Sequence, residues 1–270
     1  DKDNVFVAWK TTTVDQMSYV RDATLRYEME TLSGFSVAAM ARHRKDTPAG
    51  KLQYIRNDAA KTIVPDITTA ELGLTLRYAP GETFVNTKQR RRPVSLDAPI
   101  FTLSHTTGFK GVLGGEYNFN LTEASIWKRF WLSSWGKVDV TLKGGAQWNT
   151  VPFPLLILPA ANLSYITQKE TFNLINNMEF LSLVGSEMCI RDRTYDMNGK
   201  LFNRIPLIKK LKWREVFRFR ALYGNLTEKN NPFKSNNPEL FDFPQRDGSY
   251  TSYVMDPKAP YVEASVGIYN

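Results

Sequence analysis

An alternation of apolar and polar side chains recurs along most of this chain, and that period of two narrows its fold more than any other feature. In residues 71–78, Leu72, Leu74, Leu76 and Tyr78 alternate with Glu71, Gly73, Thr75 and Arg77. Successive side chains of a strand point to opposite sides, so such a run builds a strand with one greasy and one polar face. Residues 137–143 repeat it, with Val138, Val140 and Leu142 against Lys137, Asp139, Thr141 and Lys143, and residues 261–268 repeat it again. Further runs are 4–11, 17–31, 34–45, 99–105, 115–126, 171–181 and 213–226, with a weaker one at 194–201. Helical spacing is almost absent. The pattern predicts an all-β chain, an antiparallel meander of about ten to twelve strands, several longer than the usual five or six residues.

Turn-forming residues separate these runs. They are Asp46-Thr47-Pro48-Ala49-Gly50, Ala79-Pro80-Gly81, residues 133–136, and an Asn- and Pro-rich tract at 227–258, which reads as a surface loop. Two stretches break the alternation. Residues 151–161 are apolar but carry Pro152, Pro154 and Pro159, so they are expected to be an extended piece packed on or plugged into something. Residues 202–214 are basic and amphipathic, and a short helical turn is expected after Pro206. No composition shift or repeat divides the chain, which reads as one domain.

Hydrophobic residues make up 42% of the 270, yet no run approaches the ~18 consecutive apolar residues of a spanning helix. That excludes a helical membrane protein but not a barrel, whose strands spread the same content over every second residue. Net charge is +8, which favours anionic surroundings without choosing among them. One cysteine, Cys189, and two histidines, His43 and His105, give no disulfide framework, no metal-ligand cluster and no nucleophile–base pair. Carboxylates such as Glu116, Glu123 and Asp139 form no pair at a separation that sequence reveals, so the expectation is a protein that is not an enzyme and uses no metal or cofactor. Gly111-Val112-Leu113-Gly114-Gly115 lacks the spacing and the following helix of a phosphate cradle. Lys88-Gln89-Arg90-Arg91-Arg92 has no interleaved aromatics to stack bases, so nucleic acid is not expected as a partner. Lys209, Lys210, Lys212 and Arg214 either contact anionic lipid headgroups or keep a turn soluble. No secretory signal is visible at Asp1-Lys2-Asp3-Asn4.

Aromatic residues reach 13%. Tyr117, Phe119, Trp127, Phe130, Trp131, Trp135, Trp148 and Trp213 are candidates for the rings that sit at the two membrane interfaces of an outer-membrane barrel. The competing reading is a soluble or surface β-sandwich that binds glycans through exposed Trp and Tyr, its remaining rings filling a core between two sheets. Long strands with charged residues at alternate positions favour the barrel, whose lumen is wet or self-paired.

Residues 69–82 (Thr-Ala-Glu-Leu-Gly-Leu-Thr-Leu-Arg-Tyr-Ala-Pro-Gly-Glu), 97–103, Lys128-Arg129-Phe130-Trp131, 151–157, 202–212 and 260–268 resemble a family of Bacteroidota outer-membrane proteins. In that family a carboxypeptidase-regulatory-like domain precedes a large β-barrel of unknown function. The resemblance runs over nearly the whole chain. It implies residence in the outer membrane, contact with outer-membrane lipid and lipopolysaccharide, and a role in transport, envelope biogenesis or anchoring. It also implies a piece truncated at both ends, since the regulatory-like domain and some closing strands are missing. Residues 182–193 (Ser-Leu-Val-Gly-Ser-Glu-Met-Cys-Ile-Arg-Asp-Arg) depart from the family, which has an alternating strand there, and read like translated sequencing adapter.

Overall fold

The computed structural model describes residues 16–31, 33–86, 91–94, 97–158, 183–246, 248–256 and 258–269. Among the described residues nine strands form one antiparallel sheet: β1 (Gln16–Glu30), β2 (Phe35–Gly50), β3 (Ile67–Tyr78), β4 (Ile100–Gly108), β5 (Phe119–Trp131), β6 (Lys137–Gln147), β7 (Glu187–Asp196), β8 (Arg214–Asn225) and β9 (Tyr261–Tyr269). They lie side by side in chain order, so every pairing is between sequence neighbours. Among the described residues the sheet is open, with β1 and β9 at its edges. The expected strands at 4–11 and 171–181, and Lys88, Gln89 and Arg90, lie outside the described residues. No described helix is long and apolar enough to cross a membrane.

Register carries the alternation across the whole sheet. One row runs Phe35, Tyr78, Phe101, Ile126, Leu142, Arg191, Ala221 and Val262 from β2 to β9, each residue opposite the next. A second runs Phe130, Val138, Tyr195, Phe217 and Val266. These rows share a face with Leu25, Leu72, Leu74 and Leu103, and large apolar side chains on it are solvent-exposed, Leu25 by 76%. The opposite, inward face carries Arg42, Glu71, Arg129, Asp139, Asp192 and Arg220. Among the described residues four small two-stranded sheets accompany the main one, and the exposure of Leu25, Leu72, Leu74 and Leu103 leaves no second sheet packed on the apolar face there, as a sandwich would have.

Connections differ at the two ends. At one end they are 31–34, 79–99, 132–136 and 197–213; at the other they are 51–66, 109–118, 148–186 and 226–260. Tight turns at the first end need left-handed backbone. Gly136 has φ 91°, and a Cβ there would run into the Asp196 carbonyl.

Three expectations are corrected. β2 continues through Asp46-Thr47-Pro48-Ala49-Gly50, because β3 begins opposite Asp46, so beyond it β2 pairs only with β1 and Pro48 withholds no bond from a second neighbour. The tract 227–258 is no mere surface loop: Leu240, Phe241, Phe243 and Met255 are buried. Residues 187–193 do not interrupt the strands but form most of β7, with polarity reversed: Met188 and Ile190 are buried inward while Glu187, Arg191 and Arg193 are exposed on the apolar face. The short helix after Pro206 is present, Pro206–Lys209.

Candidate functional site

The inward face is a wall of cross-strand charge pairs. Arg42 on β2 meets Glu71 on β3, whose side chain is 2% exposed and also accepts the Thr69 hydroxyl at 2.6 Å. Arg129 grips Asp139 with two bonds, 2.6 and 2.8 Å, and Arg220 meets Asp192 at 2.5 Å. Bidentate guanidinium–carboxylate geometry is the stronger kind of ion pair, and it neutralises charge that a bare lumen would leave for water or ions.

At the long-connection end this face is covered. Leu52, Tyr54 and Val64 from 51–66, Tyr117 from 109–118, Val151, Phe153 and Leu156 from 148–158, Val184, and Phe241 and Phe243 from 226–260 pack into one hydrophobic cluster. Ile67 and Phe119, the first residues of β3 and β5, share the parity of the inward residues, so the cluster sits on the inward side. A second cluster continues along that face, where loop residues Ile157 and Met255 pack on Met188, Ile190 and Leu222. Phe153 is the pivot of the first cluster, edge-on to Tyr54, Phe241 and Phe243 at 5.8, 6.4 and 6.4 Å. Polar bonds tie the loops together: Asn57 donates to the Pro232 and Ser235 carbonyls, and the buried Asn230 side chain accepts from the Val151 amide. The expected plug at 151–161 is therefore a plug through residue 158.

Burial raises the phenols of this plug, Tyr54 far above its ordinary value and Tyr117 up to about 12. Glu116 beside it is raised by desolvation, against the Thr68 amide that donates to it. Asp58 is lowered by the amide and hydroxyl of Thr62. Arg56, Lys110, Glu116, Tyr117 and Glu239 line a cavity of about 410 Å³.

The aromatics expected at membrane interfaces divide. Tyr117 and Phe119 are buried in the plug, the physical reason being that the long loops fold back onto the strand ends that carry them. Trp127 and Trp131 face inward and flank the Arg129 guanidinium at 5.5 and 5.7 Å. Phe130 lies on the apolar face, and Trp135 in the 132–136 turn is exposed beneath the Lys200 ammonium, 4.0 Å away. Trp148 is exposed at the opposite end and bonds Thr122, and Trp213 stacks edge-on with Phe202 in 197–213. Lys209, Lys210, Lys212 and Arg214 are all exposed there. What sequence reasoning missed is that 51–66, 109–118 and 226–260 join residues 151–158 in the plug. Its signal was the pair Phe241 and Phe243 inside a tract otherwise rich in Asn and Pro.

Residues 53–234 match the C-terminal domain of a family of unknown function, DUF5686. The chain belongs to that family. No curated protein matches it. Among solved structures, a crystal structure of BamA from Haemophilus ducreyi lacking POTRA domains 1–3 is similar, with TM-score 0.51 and 13% identity over 98% of this chain. The likeness spans 49% of that structure's own chain and is one of fold. The DUF5686 sheet is thus a long-stranded antiparallel meander of the outer-membrane β-barrel kind.

Proposed function

We propose that this chain is the membrane-spanning part of an outer-membrane protein that serves as a sealed scaffold, in envelope biogenesis or anchoring, and not as an open diffusion channel. The observation that carries this reading is the hydrophobic plug, built from described residues of all four connections at one end of the sheet and seated on the inward face above paired charges. An apolar outward face against lipid and a polar interior of paired charges is an arrangement that a bilayer allows a barrel. The chain acts without catalysis or cofactor, and its partners are membrane lipids, lipopolysaccharide among them. The finer resemblance to Bacteroidota proteins adds a regulatory-like domain ahead of the barrel, which sequencing the complete gene tests.

The experiment is to fold the full-length protein into lipid vesicles and follow both migration and conductance. Heat-modifiable migration on a gel with electrically silent bilayers is the expected result. A urea-extractable, detergent-free protein defeats the membrane reading, and stable open-channel currents defeat the sealed one.

A further inference from the structure

The rim opposite the plug carries a surface that the scaffold reading leaves unused. Between β7 and β8, residues 197–213 contain Lys200, Arg204, Lys209, Lys210 and Lys212 and no acidic residue. The same segment exposes large apolar side chains, Leu201, Ile205 and Leu211 by nearly half and Leu207 by 82%. Its base is fixed. The Leu201 amide donates to buried Glu215 at 2.6 Å, and Lys200 reaches Ser134 and lies over Trp135. Those contacts join it to exposed Leu132 and Trp135 in the neighbouring turn, and so to the apolar face through Phe130 and Tyr195, whose hydroxyl bonds the Trp135 carbonyl.

Exposed leucines interleaved with unopposed cations, continuous with a lipid-facing wall, fit the boundary between acyl chains and anionic headgroups. The end of the barrel chooses the leaflet. In outer-membrane barrels the short turns face the periplasm and the longer loops the exterior; this segment, with 79–99, shares its end with the two tightest turns, 31–34 and 132–136, while the longest connections, 148–186 and 226–260, are at the other end. We propose that residues 197–213 form a leaflet anchor that binds anionic phospholipid on the periplasmic side, with Leu207 and its apolar neighbours immersed and Lys209, Lys210 and Lys212 on the phosphates. It rests on the barrel reading and adds to it a partner and a side.

A test uses the full-length protein with Cys189→Ala and Leu207→Cys, so that a polarity-sensitive dye sits on the thiol at position 207. Reconstitution in phosphatidylcholine nanodiscs with and without phosphatidylglycerol reads immersion as a blue shift. The shift is expected only with phosphatidylglycerol and is expected to fade as salt is raised. Changing Lys209, Lys210 and Lys212 to Gln one after another lowers the immersed-to-exposed ratio about fivefold each, the equivalent of about 1 kcal/mol per cation at an anionic surface. An equal shift without phosphatidylglycerol overturns the proposal, as does one produced only by lipid A. In intact cells an impermeant thiol reagent is expected to miss position 207, and labelling there overturns the assigned side. Liposome flotation separates the two readings: a chain that floats but ignores headgroup charge defeats the anchor alone, and one that does not float defeats both.

Discussion

Glu71 shows how much of this structure is decided by single side chains. Its carboxylate is buried and held by Arg42 and Thr69. Removing one partner of a buried pair leaves a charge without compensation, which is far worse than replacing both. Arg42→Ala is expected to destabilise the folded protein by about 3–5 kcal/mol in urea titrations in lipid vesicles, while Arg42→Met with Glu71→Leu recovers most of that loss. Glu116 gives a prediction of opposite sense. Its folded-state pKa is raised, so its contribution to stability is fully present below the ordinary value of 4.5 and is lost as pH rises through the raised one. Glu116→Gln therefore raises the urea midpoint at pH 7, and the gain vanishes well below pH 4.5, where the glutamate is itself protonated. At this scale the sequence was only partly readable. Alternation assigns Phe119 to a strand, but whether a ring there meets lipid or a folded-back loop depends on residues more than a hundred positions away, such as Phe241.

Strands were far more legible than the segments joining them. Because period-two patterning is local, β3, β6 and β9 appear where their runs of leucine and valine alternate with polar residues, and the register does the rest. Pro48 and the plug-forming tract at 226–260 were misread because their conformation is set by which neighbours are present, not by their own composition. β7 is the element at odds with the sheet, since Arg191 stands opposite Leu142 and Ala221, and Arg193 opposite Val140 and Phe219. An arginine on the lipid face near the midplane costs about 2–4 kcal/mol. Arg191→Leu and Arg193→Leu are each expected to stabilise the vesicle-folded protein by roughly that amount, and resequencing the gene is expected to show apolar residues at the outward positions of this strand. Gly136→Ala, by contrast, forces a Cβ against the Asp196 carbonyl at a left-handed turn and should lower stability by about 1–3 kcal/mol.

For the molecule as a whole, composition says little and arrangement says much. The +8 charge does not sit evenly: the five cations of 197–213 stand at the short-turn rim, while the long connections hold the buried plug. Phe153→Ala, which removes a ring with three aromatic partners, is expected to weaken the plug by about 3–5 kcal/mol and to convert silent bilayers into conducting ones. A mutant that stays silent while its long loops become protease-sensitive would mean that the paired charges alone close the interior. Sealing could not be read from the sequence, because it is a relation among four loops.

The strictly sequential order of the nine strands also sets a timetable. Each strand pairs with its neighbour in sequence, across tight turns such as 31–34 and 132–136 or across the long connections 148–186 and 226–260, and the next strand finds its neighbour as the edge just completed, so the ladder can grow one pairing at a time. The plug obeys a different clock, because it joins Tyr54 to Phe241 and must wait until both ends of the sheet exist. The wall is therefore expected to form first and the stopper last, with the polar interior open to water in between, and an order of burial seen by pulsed thiol labelling of strand and plug positions checks it.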